Sequence, residues 1–244
     1  GTRLPDNVHV VSDLNAVMDG ARILLCVVPS KHARRLYERI VPQLDPSVIF
    51  VSATKGFEQG GLENETPLRM AQVLSEVAEH QTRIAVLSGP TFAKEVARGE
   101  PAAVVIASSD AEVASTVQAA FSGPTFRLYT NSDVIGVEVG GALKNVIAIA
   151  AGVVQGLGLG NNTQAALITR GLAEITRLAV AMGAQPKTLA GLAGLGDLVL
   201  TCTGDLSRNR TVGLRLGRGE ALADILADMK MIAEGVKNTR TVRA

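Results

Sequence analysis

RILLCVVPS, residues 22–30, is the stretch on which the fold turns. From Arg22 to Val28 the run is continuously apolar, and Pro29-Ser30 close it with a turn signal. A strand that is apolar at nearly every position is buried on both faces, which is how strands of a helix-covered parallel sheet read. Further along the chain the pattern recurs at 47–53 (SVIFVSA), 83–88 (RIAVLS) and 102–107 (AAVVIA). Helix-like segments at 32–43 and 67–80 lie between these runs. The alternation predicts an α/β fold built on a doubly wound parallel sheet. Ser12 and Asp13 offer an N-cap for a short helix ahead of the first strand.

The pattern changes after Thr130. No further strand runs occur, and long helices are predicted at 132–155 and 163–182, with shorter ones to the end. The boundary therefore falls near Asn131. Three strands finish in turn signals, at 28–30, 54–56 and 88–90. Ligands of open α/β sheets bind outside the carboxyl ends of the strands, so these turns either cradle a cofactor or simply end strands. The dinucleotide fingerprint G-x-G-x-x-G after a strand is absent. The glycines at 156–160 and 191–196 have the wrong spacing and follow helical patterns. The expectation is a partial Rossmann-type sheet whose first Gly-rich β-α-β unit lies upstream of Gly1, and a chain that by itself binds NADH poorly.

Composition narrows the class. The 244 residues are 47% hydrophobic and 19% charged with a net charge of +1, so no basic footprint for nucleic acid or anionic lipid exists. Cys26 and Cys202 form neither a C-x-x-C motif nor a disulfide framework, which points to a reducing compartment. His9, His32 and His80 are scattered, and no metal site is expected. The apolar stretch 146–159 is short for a membrane span and rich in Gly, and it reads as a buried helix.

Lys144 carries the most information. It interrupts a helix apolar nearly all round, where Glu138 and Asn145 are the only other strongly polar residues, and its helical neighbours Gly140, Gly141, Ala148 and Ala151 are small. A buried ammonium needs a partner or a purpose, because desolvation lowers its pKa. The bland alternative is a solvated surface lysine. Asp197, between Gly196 and an apolar run, is either that partner or a helix N-cap. Ser207-Arg208-Asn209-Arg210 gathers donors ahead of a helix at 212–216, an arrangement suited to phosphate or an ordinary solvated turn. Lys55, at a strand end, is open to the same two readings.

Taken in order, ATKG (53–56), SGPTFAKE (88–95), GGALKN (140–145), GLGDLVLTC (194–202), SRNR (207–210) and MIAEGVKNT (231–239) resemble the NAD(P)-dependent glycerol-3-phosphate dehydrogenases over nearly the whole chain. The resemblance implies a dinucleotide-binding domain at 1–131, a helical substrate domain at 132–244 whose C-terminal part is missing, and a homodimer. It also implies a cytoplasmic enzyme that binds a small triose phosphate, neither nucleic acid nor a membrane, and supplies glycerol 3-phosphate for glycerophospholipid synthesis. Lys144 would be the proton acceptor, assisted by Asp197. Asn145 and Thr201 would lie beside the substrate, with Gly89 and Thr91 lining it. Arg208 and Asn209 would hold its phosphate, with Ser207 bordering it. Lys55 and Arg208 would touch both substrate and NAD or NADP, and Ala93, Ile232 and Glu234 would contact the dinucleotide. A related β-hydroxyacid dehydrogenase usually has Asn four residues after its lysine. Here that position is Ala148, so this rival loses ground. An inactive fragment of the enzyme and a non-catalytic nucleotide-binding domain are two further readings of the same residues.

Overall fold

The computed structural model describes residues 4–58, 67–78, 83–229 and 233–243. Asp13, not Ser12, caps α1 (Leu14–Met18), its carboxylate accepting from Asn15 N at 3.0 Å. Then follow β1 (Ile23–Cys26), α2 (Ser30–Ile40) and β2 (Ile49–Ser52). A two-stranded ribbon, β3 (Phe57–Glu58) and β4 (Leu68–Arg69), leads into α3 (Met70–Val77). The strands β5 (Ile84–Ser88), β6 (Ala102–Ala107) and β7 (Phe126–Asn131) alternate with α4 (Ala93–Val96) and α5 (Ala111–Phe121).

The sheet has the order β1-β2-β5-β6-β7. Three pairs are parallel, but β5 and β6 run antiparallel, a local departure from the parallel expectation. A parallel return needs a crossover that carries the chain back along the sheet, usually on a full helix, and the single turn of α4 does not span it. β7 and the ribbon carry no signal in the sequence. In β7 only Leu128 is fully buried, so the strand never presents a continuous apolar run. Leu24, Cys26 and Phe50 pack one sheet face against Tyr37 of α2 and Met70 and Leu74 of α3. Ile49, Val51, Ala85 and Ile106 pack the other against Val113 and Val117 of α5. Both faces are covered, as the unbroken apolar runs require. At the β1 edge, by contrast, Leu25 and Val27 are 43% and 66% exposed.

From Val134 on, the described residues are helical: α6 (Val134–Gly156), α7 (Asn161–Ala181), α8 (Pro186–Leu189), α9 (Asp197–Thr203), α10 (Arg208–Gly217), α11 (Leu222–Asp228) and α12 (Glu234–Arg243). Asp133 starts α6, one carboxylate oxygen accepting from Gly136 N and the other from Gln185 N, both at 2.8 Å. Val139, Ala142, Leu143 and Ala148 of α6 form a core with Ile175 of α7, Leu189 of α8 and Leu198 and Cys202 of α9. By length and composition α6 could cross a membrane, yet 61% of its most apolar window is buried within the protein. Its contact with α10 is backbone on backbone. A Cβ would lie 2.0 Å from Arg210 O if placed on Gly152, and 1.9 Å from Ile149 O if placed on Gly213. Only glycine fits there.

Candidate active site

Lys144 is buried because α6 can pass close over the end of β5. A Cβ on Gly141 would lie 2.7 Å from Ser88 Oγ, and one on Gly140 would lie 2.8 Å from Ala193 O. Ala193 belongs to a π-helical turn, Leu192–Gly196, that delivers Asp197 to the start of α9. Such turns gather at functional sites because they re-aim the residues that follow. Asp197 is 1% exposed and its carboxylate caps no helix. Lys144 Nζ donates to its Oδ1, and Lys55 Nζ donates to its Oδ2 at 2.7 Å. Of the two readings of Asp197, the ion partner is the one the geometry has.

One carboxylate here faces two ammonium groups and cannot balance both. Burial penalises the charge on Lys144, Lys55 adds repulsion, and together they outweigh the pull of Asp197, lowering the Lys144 pKa to about 7. Burial alone would raise Asp197, but Lys55 and Lys144 outweigh it and hold the carboxyl below its usual range. Lys144 can thus exchange a proton near neutrality while Asp197 stays ionised.

Around this trio lie further polar groups. Thr201, one turn along α9, donates from Oγ1 to Asp197 O at 2.6 Å. Asn145 Oδ1 accepts from Asn209 Nδ2 at 3.0 Å, and Asn209 Oδ1 accepts from Gly235 N at 2.9 Å. Ser207 Oγ accepts from Arg210 N at 3.2 Å as the N-cap of α10, so that helix begins at Arg208, ahead of the expected start at 212. Arg208 is exposed in the first turn and makes no hydrogen bond or ion pair among the described residues. A free guanidinium at a helix N-terminus suits an anion. Gly89 has φ +145°, and a Cβ there would lie 2.9 Å from Val104 Cα. Thr91 Oγ1 donates to Gly89 O at 3.2 Å, and Pro90 beside them abuts Gly196. Ala93 stands exposed at the start of α4. Glu234, opening α12, accepts from Ser30 N at 3.2 Å and from Ser30 Oγ at 2.9 Å. Ile232 lies outside the described residues.

Two groups at the strand ends carry no mark in the sequence. Ser88 Oγ and Asn238 Oδ1 are buried and have no hydrogen-bond partner. The first faces Gly141 and the second Gly56, while Asn238 Nδ2 donates to Ala142 O at 2.9 Å. Buried polar atoms are normally paired, so two orphans beside the strand ends fit a polar ligand laid over those ends, as a dinucleotide is in this fold. Both belong to the SGPTFAKE and MIAEGVKNT motifs, but a lone hydroxyl or amide has no periodic signature. Among the described residues no group of three or more His, Cys, Asp or Glu could hold a metal.

A lysine able to exchange a proton near neutral pH, beside two unpaired polar atoms near the strand ends, suits the interconversion of an alcohol and a ketone. That places the chain in the class of nicotinamide-dependent dehydrogenases with a doubly wound sheet. Residues 1–114 match the N-terminal profile, and residues 133–244 the C-terminal profile, of NAD-dependent glycerol-3-phosphate dehydrogenase. The chain belongs to this family. It is 58% identical to the glycerol-3-phosphate dehydrogenase [NAD(P)+] of Koribacter versatilis over 239 residues, covering 97% of this chain and 69% of that protein. Against the Geobacter sulfurreducens relative, of the same name, identity is 54% over 99% of this chain and 71% of that one. The crystal structure of glycerol-3-phosphate dehydrogenase from Coxiella burnetii superposes with a TM-score of 0.90 at 39% identity, covering 99% of this chain and 72% of that one.

Proposed function

We propose that this chain interconverts sn-glycerol 3-phosphate and dihydroxyacetone phosphate, with Lys144 handling the proton. The observation that carries the reading is the Lys144–Asp197–Lys55 cluster, with Lys144 and Asp197 buried, in which the Lys144 pKa is lowered to about 7. The orphaned Ser88 Oγ and Asn238 Oδ1 fit a bound dinucleotide. Lys55, Ala93, Arg208, Ile232 and Glu234 are the residues that would hold it. When bound, NAD or NADP supplies or accepts the hydride at C2.

The chain's own residues do the rest. In oxidation the neutral Lys144 amine takes the hydroxyl proton. In reduction its ammonium polarises the carbonyl oxygen and then gives it the proton. Asp197 stays charged and aims the Lys144 Nζ. Asn145 and Thr201 lie beside the substrate, Gly89 and Thr91 line its pocket, and Arg208 and Asn209 hold the phosphate, with Ser207 bordering it. Binding energy at that remote phosphate is then used to orient C2. The same reading divides the chain into a dinucleotide domain at 1–131 and a substrate domain at 132–244, working as a cytoplasmic homodimer.

The test is turnover of dihydroxyacetone phosphate by the natural protein with NADH and with NADPH, against unphosphorylated dihydroxyacetone. Turnover confined to the phosphorylated ketone is expected. Equal rates would remove the phosphate site, and no oxidation of either cofactor would remove the function.

A further inference from the structure

The Lys144 site contains a second cation, and something must hold it in place. Lys55 follows β2, and its ammonium reaches Asp197 on α9, which lies 142 residues further along the chain. Two residues later the chain enters the β3–β4 ribbon, in which Phe57 is the register partner of Arg69. Phe57 is 3% exposed and belongs to the apolar core built around α6. Arg69 Nη1 donates to Glu138 Oε2 on α6 at 2.5 Å, and Ala71 N, in the first turn of α3, donates to Glu138 Oε1 at 2.7 Å. The ribbon's opposite side is tied to α2, where Arg34 Nε donates to Glu58 at 2.8 Å. Between Lys55 and the ribbon, Gly56 has φ +146° and is hemmed in by Ser30 Oγ and Asn238 Oδ1. The backbone on the far side of Lys55 therefore has little freedom, provided the ribbon stays seated on α6.

We propose that the part-buried Arg69–Glu138 pair is a positioning device that seats the β3–β4 ribbon on α6 and so holds Lys55 against Asp197 beside Lys144. The proposal rests on the reading of Lys144 as the proton-handling group. A buried ion pair contributes little net stability compared with apolar residues of the same volume, but it does fix one arrangement over others. Here it joins the helix that carries Lys144 to the ribbon that begins two residues after Lys55. The arrangement matters chemically because Lys55 repels the proton on Lys144, second only to burial in lowering its pKa. The titratable groups that face Lys144 are Asp197 and Cys202 of α9 and Lys55 of the β2 turn. Glu138 is on α6 itself, six residues ahead, and is engaged with Arg69.

The experiment uses the natural protein labelled with 13C at the lysine ε-carbon, with the Lys144 signal assigned by its loss in Lys144→Met. Its titration midpoint is read alongside the pH profile of kcat for glycerol 3-phosphate oxidation. Releasing Lys55 removes a like charge, so the Lys144 midpoint should rise by about one pH unit, the lower end for a charge at contact distance. That rise is expected in Arg69→Met, in Glu138→Gln and in the paired Arg69→Met/Glu138→Leu variant, which leaves no orphaned charge to prevent folding. The kcat profile should move by the same amount, with KM changing less. Arg69→Lys should keep the original midpoint, as should Arg34→Gln, which loosens the ribbon on the side away from α6. In a Lys55→Met background the Arg69 substitution should cause no further rise, since both act through one cation. An unchanged midpoint in the folded paired variant overturns the proposal, and so does a full additional rise on top of Lys55→Met. If the wild type does not oxidise glycerol 3-phosphate, the functional reading fails by itself, and the lysine midpoints still decide the anchor.

Discussion

Lys144 is where sequence and chemistry meet most directly. A lone ammonium among small and apolar helix residues announces burial, and burial requires a carboxylate. The second cation, Lys55, entered the site only through the resemblance, and nothing in ATKG tells that its ammonium reaches Asp197. Replacing Lys144 with Ala should lower kcat by roughly 10²–10⁴, the usual worth of a positioned acid–base group, with the helix intact because Ala suits it. Steady-state kinetics and circular dichroism check the two halves of that statement. The pH dependence of stability has a definite sign. The folded-state pKa of Lys144, about 7, lies below its ordinary value of 10.5. Between those values the unfolded chain binds more protons, so stability rises with pH through that window, at up to about 1.4 kcal/mol per pH unit. Denaturant melts from pH 7 to pH 9 should show the rise, and Lys144→Met should flatten it. Arg208→Ala should cost about 1.5–3 kcal/mol of phosphate recognition, the range for hydrogen bonds to charged groups. The ratio of kcat/KM for dihydroxyacetone phosphate to that for dihydroxyacetone reads it directly.

At the scale of elements, the strands that could be read are those buried on both faces. SVIFVSA, RIAVLS and AAVVIA read as apolar runs because helices cover both sides of them, whereas in RILLCVV Leu24 and Cys26 are covered and Leu25 and Val27 are not. β7 was invisible because its exposed positions, Arg127, Tyr129 and Thr130, break the run. The ribbon was invisible because two-residue strands leave no periodicity. The reversal between β5 and β6 is set by the shortness of α4, which no composition argument registers. The glycines of α6 were legible as small residues, but their partners on α10 were not, since a contact between positions 152 and 213 is a fact of tertiary structure. Gly213→Ala tests that contact. Its methyl would meet Ile149 O at 1.9 Å, so the helices must part, and a loss of about 1–3 kcal/mol is expected in chemical denaturation.

Seen whole, the sheet has β1 at one edge, with no strand on its outer side among the described residues. Leu25 of β1 and Val27 just beyond it face solvent beside this strand edge, the usual template for association. The 244-residue chain studied alone should therefore sediment as more than a monomer, and Leu25→Lys should shift it toward one. The crossing of α6 and α10 has a different consequence. Lys144 rides on one of these helices and Arg208 on the other, and the helix spacing is set by main chain against main chain at Gly152 and Gly213, with the Asn145–Asn209 hydrogen bond alongside. The pair works as a calliper of fixed opening. On the proposed roles of Lys144 and Arg208, that opening sets the span between a reacting carbon and an anionic group, and only the two side chains themselves can adjust it. A homologous phosphorylated ketone with one extra methylene between carbonyl and phosphate would seat its anion and miss Lys144, or reach Lys144 and lose its anion. An error of about 1 Å in such positioning costs on the order of 10²-fold, so kcat/KM for that homologue should fall by about this much while an inert phosphate analogue still binds.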